Sequence, residues 1–360
     1  MNLSRFEECL TPVEGSDVPL LWQKPNKHPF RLSGFSWFAH DGIYRRLPLK
    51  GSQTLPESVD KLAYNTAGGQ ISFQTDSLYV AIRVELAGLA DMNHMPATGQ
   101  CGFDLYVGSP LAQRFYDVTA YDHTQTMYEM LLFEHSDKEV RNFTINFPLY
   151  QGVNQVQIGL EPDANLTPPI PWSDNGKLVF YGTSITQGGC ASRPGMAHLN
   201  ILSRALNLEI VNLGFSGAGR GEPEVIRMMA EVPDPQLFVL DYESNSGGNL
   251  PDTLAPAIRI LRDKHATVPI MIISRIAFAG DAFYDDWWEA LESGRDMQAA
   301  LVNELREAGD SEIYFVDGSK LLGADFDECT VDGFHPNDLG FMRMAKRLEQ
   351  EIGRILTSPK

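Results

Sequence analysis

The sequence predicts an α/β protein in two parts. The first is an antiparallel β-sandwich of jelly-roll type over residues 1–165. The second, over 177–360, is a flavodoxin-like three-layer α/β/α domain with a five-stranded parallel sheet, and residues 166–176 link the two. Three observations predict this. Up to residue 165 apolar residues recur at every second position, in short runs divided by Gly, Pro, Asp and Asn. From residue 177 short, wholly apolar runs alternate with helical stretches. At 360 residues the chain is long for one core, and a prior of roughly 150 residues per domain suggests two.

In the first part, "GQISFQTDSLYVAIRVEL" alternates through Ile71 and Phe73, then Leu78, Val80, Ile82 and Val84. "GFDLYVG", "RNFTINF" and "VNQVQIGL" continue the pattern, and no long amphipathic helix interrupts it. The stretch "EPDANLTPPIPWSDNG" (161–176), rich in Pro and Asn, fits neither element and reads as the connector. The strands of the second part are "KLVFYG", "EIVNLGF", "LFVLDYE", "PIMIISRI" and "EIYFVDG", apolar enough for burial on both faces. The helices are "GMAHLNILSRAL", "EPEVIRMMAEV", "LAPAIRILRDKH", a longer one around "DMQAALVNELREAG", and "LGFMRMAKRLEQEIGRIL". There is no internal repeat and no low-complexity segment.

An open parallel sheet binds ligands beyond the carboxyl ends of its strands, so the residues following each strand carry the chemistry. Gly182, Thr183 and Ser184 follow the first, "NLGFSGAGRGE" with Gly214 the second, and "ESNSGG" with Asn245 the third. Ser274 and Arg275 follow the fourth, and "TVDGFHPNDLGF" with Asp332 and His335 follows the fifth. These types on one rim suit acyl transfer. Ser184 is the candidate nucleophile, weak until a base takes its proton; His335 is that base, and Asp332 orients the ring. The backbone N–H groups of Ser184 and Gly214 and the Asn245 side-chain amide would hold the oxyanion, each donor worth about 10²–10³ in turnover.

Blander roles exist for each. Ser184 suits a helix cap, Gly214 and Gly217 a turn, and Asn245 a loop amide bonded to backbone, with Asn249 close by as a rival. His335-Pro336 suits a helix entry. His198 is a rival base whose helix falls behind the strand end, which favours a core or surface role. Arg275 suits a substrate or a loop carboxylate equally, and the Trp287-Trp288 pair reads as packing before it reads as a sugar platform. Asp104 and Tyr106 read as structural.

With these residues in order, the sequence resembles the SGNH, or GDSL-like, hydrolases over 177–360. "GTSIT" stands at the serine motif, "NLGFSG" at the glycine segment, "SN" at the asparagine segment and "DGFH" at the Asp-x-x-His segment. "CGFDLYV" (101–107) resembles the GxDLY signature of an N-terminal sandwich domain joined to such esterases. Two departures stand out: Thr183 replaces the usual Asp before the serine, and Asn245 sits in "YESN" rather than a Gly-x-Asn-Asp motif. The resemblance implies a serine esterase acting on small-molecule or oligosaccharide esters, without metal or organic cofactor, and the small, polar loops leaving the rim predict a preference for short acyl groups, acetyl above all. A lipase-like or thioesterase activity is the alternative within the enzyme class. A non-catalytic carbohydrate-binding protein is the alternative outside it.

A net charge of −18 argues against nucleic acid or an anionic membrane as a default partner. The four cysteines, Cys9, Cys101, Cys190 and Cys329, lack the spacing of a zinc site or a disulfide framework. "MNLSRFEECLTPVEGS" has no apolar core of a leader, and no run of 18 apolar residues occurs. A cytoplasmic protein is therefore expected. A homo-oligomer is compatible with the sequence, which fixes no oligomeric state.

Overall fold

The computed structural model describes residues 6–13 and 17–357; the opening residues of the stretch read for a leader lie outside them. Two antiparallel sheets form the N-terminal sandwich. One orders its strands β1-β2-β10-β5-β8: β1 (Cys9–Pro12), β2 (Pro19–Gln23), β10 (Val153–Leu160), β5 (Tyr79–Leu86) and β8 (Met127–Glu134). The other runs β11 (Leu166–Thr167), β4 (Gln70–Thr75), β9 (Arg141–Asn146), β6 (Asp104–Val107) and β7 (Arg114–Val118), with β3 (Arg31–Ser33) also paired to β4. Short helices α1 (Phe38–Asp41), α2 (Glu57–Leu62) and α3 (Ala97–Gln100) lie between strands. The period-two pattern puts Ile71, Phe73, Val80, Ile82, Val84, Phe143 and Ile145 between the sheets. Leu166 and Thr167, read as connector, instead pair with β4 as a two-residue edge strand.

The second domain has a five-stranded parallel sheet ordered β13-β12-β14-β15-β16. Its strands are β12 (Lys177–Gly182), β13 (Glu209–Gly214), β14 (Pro235–Asp241), β15 (Ile270–Ile273) and β16 (Ile313–Val316). This is the doubly wound order whose switch point falls between the first and third strands in chain order. Alternate residues serve opposite faces: Val179, Tyr181, Val211, Leu213, Phe238 and Leu240 join one core cluster, while Leu178, Phe180, Ile210, Leu237 and Val239 join the other. Covering these faces are α5 (His198–Leu206), α6 (Pro223–Ala230), α8 (Leu250–Lys264), α9 (Asp285–Glu307) and α10 (Asp338–Thr357); the short α4 (Ser184–Gln187) and α7 (Glu243–Ser246) begin the loops at the carboxyl edge. Among the described residues no helix is long and apolar enough to cross a membrane.

The domains interlock. Arg46 is fully buried and donates to the carbonyls of Leu62 (2.8 Å), Asn65 (2.7 Å), Asn212 (3.2 Å) and Gly214, with its guanidinium 4.6 Å from the Phe215 ring centre. Its donors thus find neutral oxygens on both sides of the interface, which offsets burial of a charge. The GxDLY strand forms a second clasp. Asp104 Oδ1 accepts from Asn146 Nδ2 at 2.7 Å, while Oδ2 accepts from Arg193 Nη1 at 2.8 Å and from the Gly195 N–H at 2.7 Å. The Tyr106 hydroxyl accepts from the same Arg193 nitrogen at 2.7 Å, and the Phe115 ring lies 3.7 Å from the guanidinium. Gly195 has to be glycine here, since a Cβ would stand 2.4 Å from the Tyr106 ring and 2.6 Å from Asp104 Oδ2. Asp104 and Tyr106 are therefore structural, and what they hold is the loop between α4 and α5.

Candidate active site

The strand that begins the parallel sheet ends on Gly182 because nothing larger fits: a Cβ there would stand 2.0 Å from Thr186 Oγ1 and 2.5 Å from the Asp241 carbonyl. Thr183 then caps α4, its hydroxyl accepting from the Ile185 N–H at 3.2 Å, while Thr186 Oγ1 accepts from the Thr183 N–H at 3.2 Å. This reciprocal box explains the run of hydroxyls. Thr183 supplies the cap that the usual Asp would, so Ser184 is freed from capping and becomes the first helical residue. Its own N–H has no intrahelical acceptor. Its carbonyl accepts from the Tyr150 hydroxyl of the sandwich domain at 3.1 Å.

Asp332 and His335 sit on a loop that braces itself. Thr330 and Pro336 form an antiparallel bridge, Gly333 takes a positive φ of 88°, and Asp332 Oδ1 accepts from the N–H groups of Phe334 (3.0 Å) and His335 (2.8 Å). Oδ2 accepts from His335 Nδ1 at 2.7 Å, and Nε2 of the same ring accepts from Ser184 Oγ at 2.8 Å. Burial pushes the Asp332 carboxyl up, but the backbone and ring donors outweigh it, and it lies below the usual carboxylate value. The three side chains expected from the sequence are thus joined in one relay.

The oxyanion expectations fare differently. The Gly214 N–H donates to Asn212 Oδ1 at 2.9 Å, so it has no hydrogen to offer a substrate. Gly214 is glycine because α4 passes against it: a Cβ would stand 2.3 Å from the Gln187 nitrogen and 2.8 Å from the Thr183 carbonyl oxygen. Asn245 reaches the rim, yet its Nδ2 donates to the carbonyls of Phe215 (3.3 Å) and Ala218 (3.2 Å) and so holds the loop after β13. Within that loop the Ser216 N–H goes to Gln187 Oε1 at 3.0 Å. Gly217, with φ of 65°, has room around it, and among the described residues nothing accepts from its N–H. Gly217 is the residue that sequence reading set aside as a turn. Its φ could not be read from the sequence, and the side-chain bond that occupies Gly214 comes from a residue of the same strand.

The other candidates resolve plainly. His198 is fully buried and stacked on Phe341, and burial pushes its imidazole down to about 3. Arg275 takes the loop carboxylate, Asp281, in a bidentate pair at 2.7 and 2.9 Å. Asn249 stands at the start of α8. Trp287, with Phe278 and Phe334, walls a cleft of about 460 Å³ that also touches Glu243 and Arg275. Phe334, the chain neighbour of His335, forms part of its wall, while Ser184, Asp332 and His335 do not line it. His94, from the sandwich domain, was missed by sequence reading: its Nε2 comes within 3.9 Å of Asp332 Oδ2. No motif marks it, since only the docking of the domains brings it there.

A sandwich docked on a doubly wound sheet, with a Ser–His–Asp relay at the carboxyl edge, defines an SGNH-type acyl-ester hydrolase. The comparisons agree: the chain belongs to the GDSL-like lipase/acylhydrolase family, whose model matches residues 175–353, and the GxDLY domain at the N-terminus of SGNH-hydrolase-type esterases matches residues 20–166. A solved GDSL-like lipase from Bacteroides ovatus is 31% identical, with a TM-score of 0.85 over 94% of this chain and 98% of that one. The salicylyl-acyltransferase of a tetracycline biosynthetic pathway shares the fold at 20% identity, with a TM-score of 0.76 over 94% and 98%. So does a family two carbohydrate esterase from Cellvibrio japonicus, at 13% identity and a TM-score of 0.60 over 94% and 98%. A search of curated protein sequences finds no match.

Proposed function

We propose that this chain is a serine esterase removing short acyl groups, acetyl above all, from carbohydrate substrates. The observation that carries the chemistry is the unbroken relay, Ser184 Oγ to His335 Nε2 at 2.8 Å and His335 Nδ1 to Asp332 at 2.7 Å. Ser184 Oγ attacks the ester carbon as its proton passes to His335 Nε2. The oxyanion is met by the N–H groups of Ser184 and Gly217, with Asn245 holding the Gly217 loop in place. The ester C–O bond breaks, and the leaving alcohol takes the proton from His335. Water, deprotonated by the same nitrogen, then releases the acid and restores Ser184. Asp332 stabilises the imidazolium throughout.

The short-acyl reading is supported by the rim loops, "TSITQGGCASRPG", "SGAGRGEPE" and "ESNSGGN", which are small and polar. A fatty chain over such a surface gains less than the ~0.8 kcal/mol expected per buried methylene. The sugar reading is supported by analogy with sandwich-bearing carbohydrate esterases of this fold. Four free thiols, three of them buried, support a reducing cytoplasm.

The aromatic cleft of Phe278, Trp287 and Phe334 favours a second reading, an acylhydrolase or acyltransferase for a ring-bearing or longer acyl group. A p-nitrophenyl ester series from C2 to C12, with a panel of acetylated sugars, separates the two. A maximum of kcat/KM at C2 to C4 with turnover of an acetylated sugar supports the first; a maximum at C8 or beyond, or with aryl esters, supports the second. No labelling of the chain by a fluorophosphonate would overturn both.

A further inference from the structure

Around Asp332 a second set of donors converges. His94, on the loop between β5 and α3, brings its ring centre to 5.8 Å from that of His335. Its Nδ1 donates to Asn93 Oδ1 at 3.0 Å, which leaves the lone pair of Nε2 facing the Asp332 carboxylate across 3.9 Å. Cys190 arrives from the other side, just beyond the glycine pair that ends α4. Its φ of 75° is uncommon for a residue with a Cβ. Its thiol is buried, and among the described residues it has no hydrogen-bond partner. One ligand atom from each of His94, Cys190, Asp332 and His335 lies within 4.8 Å of all the others.

We propose that these four side chains form a binding site for a borderline-soft divalent cation, Zn²⁺ above all, and that occupancy silences the esterase. Two imidazoles, a thiol and a carboxylate are the donors zinc takes, at bond lengths of about 2.0–2.3 Å and tetrahedral angles. Such bonds set the donor atoms roughly 3.2–3.8 Å apart, so side-chain shifts of about an ångström complete the site. Charge fits as well: one carboxylate and one thiolate neutralise a divalent ion. Cys190 is a free, buried cysteine whose thiol carries a proton. The cation displaces that proton to solvent, as coordination does to thiols generally.

The silencing follows from the tautomer. The His335 nitrogen bonded to Asp332, itself one of the four donors, is Nδ1. Coordination there moves the single imidazole proton to Nε2, the atom that has to accept from Ser184 Oγ. The base is lost although the serine stays uncovered. Because one ligand comes from the sandwich and three from the hydrolase domain, only the docked molecule has the site.

Co²⁺ titrated into the full chain, followed by absorbance, is the test. One Co²⁺ per chain should give intense tetrahedral visible bands and a near-ultraviolet thiolate band, both erased by Zn²⁺. Cys190→Ser should lose the thiolate band. His94→Gln should keep it and weaken binding by at least about tenfold; this half-exposed position also guards against misfolding of the cysteine variant. Zn²⁺ should inhibit p-nitrophenyl acetate hydrolysis in step with occupancy, and a chelator should restore it. Absence of the thiolate band, or Co²⁺ affinity untouched by either substitution, would overturn the site. The inhibition arm rests on the esterase reading, whereas the spectrum is read without substrate, so the two fail separately.

Discussion

Among the described residues Ser184 Oγ has a single acceptor for its proton, His335 Nε2. Ser184→Ala should therefore lower kcat by at least about 10³-fold and abolish fluorophosphonate labelling, and His335→Ala should do nearly as much. Retention of more than a few per cent of activity by Ser184→Ala would sink the assignment. Asp332→Asn should cost less than loss of His335, because the aspartate orients and does not transfer a proton. Against burial, Asp332 is depressed below its ordinary value by the backbone and ring donors, so it stays ionised as pH falls and goes on accepting from the His335 ring. These residues were legible in the sequence because each follows a strand, and Asp332 and His335 lie three apart on one loop. Gly217 was not, because its free N–H depends on a dihedral angle and on bonds made by its neighbours.

At the scale of elements, α4 and β13 are pressed together at Gly214. The Cβ of Gly214→Ala would meet only backbone, at 2.3 to 2.8 Å, so the helix has to move and carry Ser184 with it. We expect a loss of about 1–3 kcal/mol in stability together with a fall in kcat; an unchanged melting temperature would show that the contact is slack. Beside the helix, burial pushes the Asp241 carboxyl up to about 7, against the bond from Thr186 Oγ1 at 2.9 Å and helped by the charge of Glu243. A carboxyl raised on folding favours the folded chain below its unfolded pKa, and that preference shrinks as pH rises toward 7. Between about pH 4 and 7, wild-type stability should fall relative to Asp241→Asn, by up to about 1.4 kcal/mol per pH unit. Parallel stability curves would refute the shift. Strand and helix periods made most of these elements readable beforehand. The edge strand Leu166–Thr167 escaped because two residues between prolines and asparagines carry no period at all.

The whole molecule depends on the grip of one domain on the other. Removing Arg193 leaves Asp104 buried with a carboxylate oxygen met, among the described residues, only by the Gly195 N–H. Arg193→Ala should cost about 3–5 kcal/mol and reduce activity, since the loop it anchors follows the serine helix. Arg193→Lys should recover only part, lacking the planar fork. If calorimetry finds both variants as stable as the wild type, the clasp is ornamental. Length and the change of period at residue 165 suggest two parts but say nothing of this contact, or of His94, because docking pairs residues 89 positions apart, as Arg193 and Asp104 are.

On the ribosome the sandwich emerges before the loop it grips. Asp104 can meet Asn146 once β6 and β9 zip together, but its other oxygen stays unmet until Arg193 and Gly195 leave the exit tunnel. The first half of the chain thus turns two buried charges, Asp104 and Arg46, toward partners in a second half still being made. The segment carrying the nucleophile is cast against the first half, which ties the birth of catalytic competence to the order of synthesis.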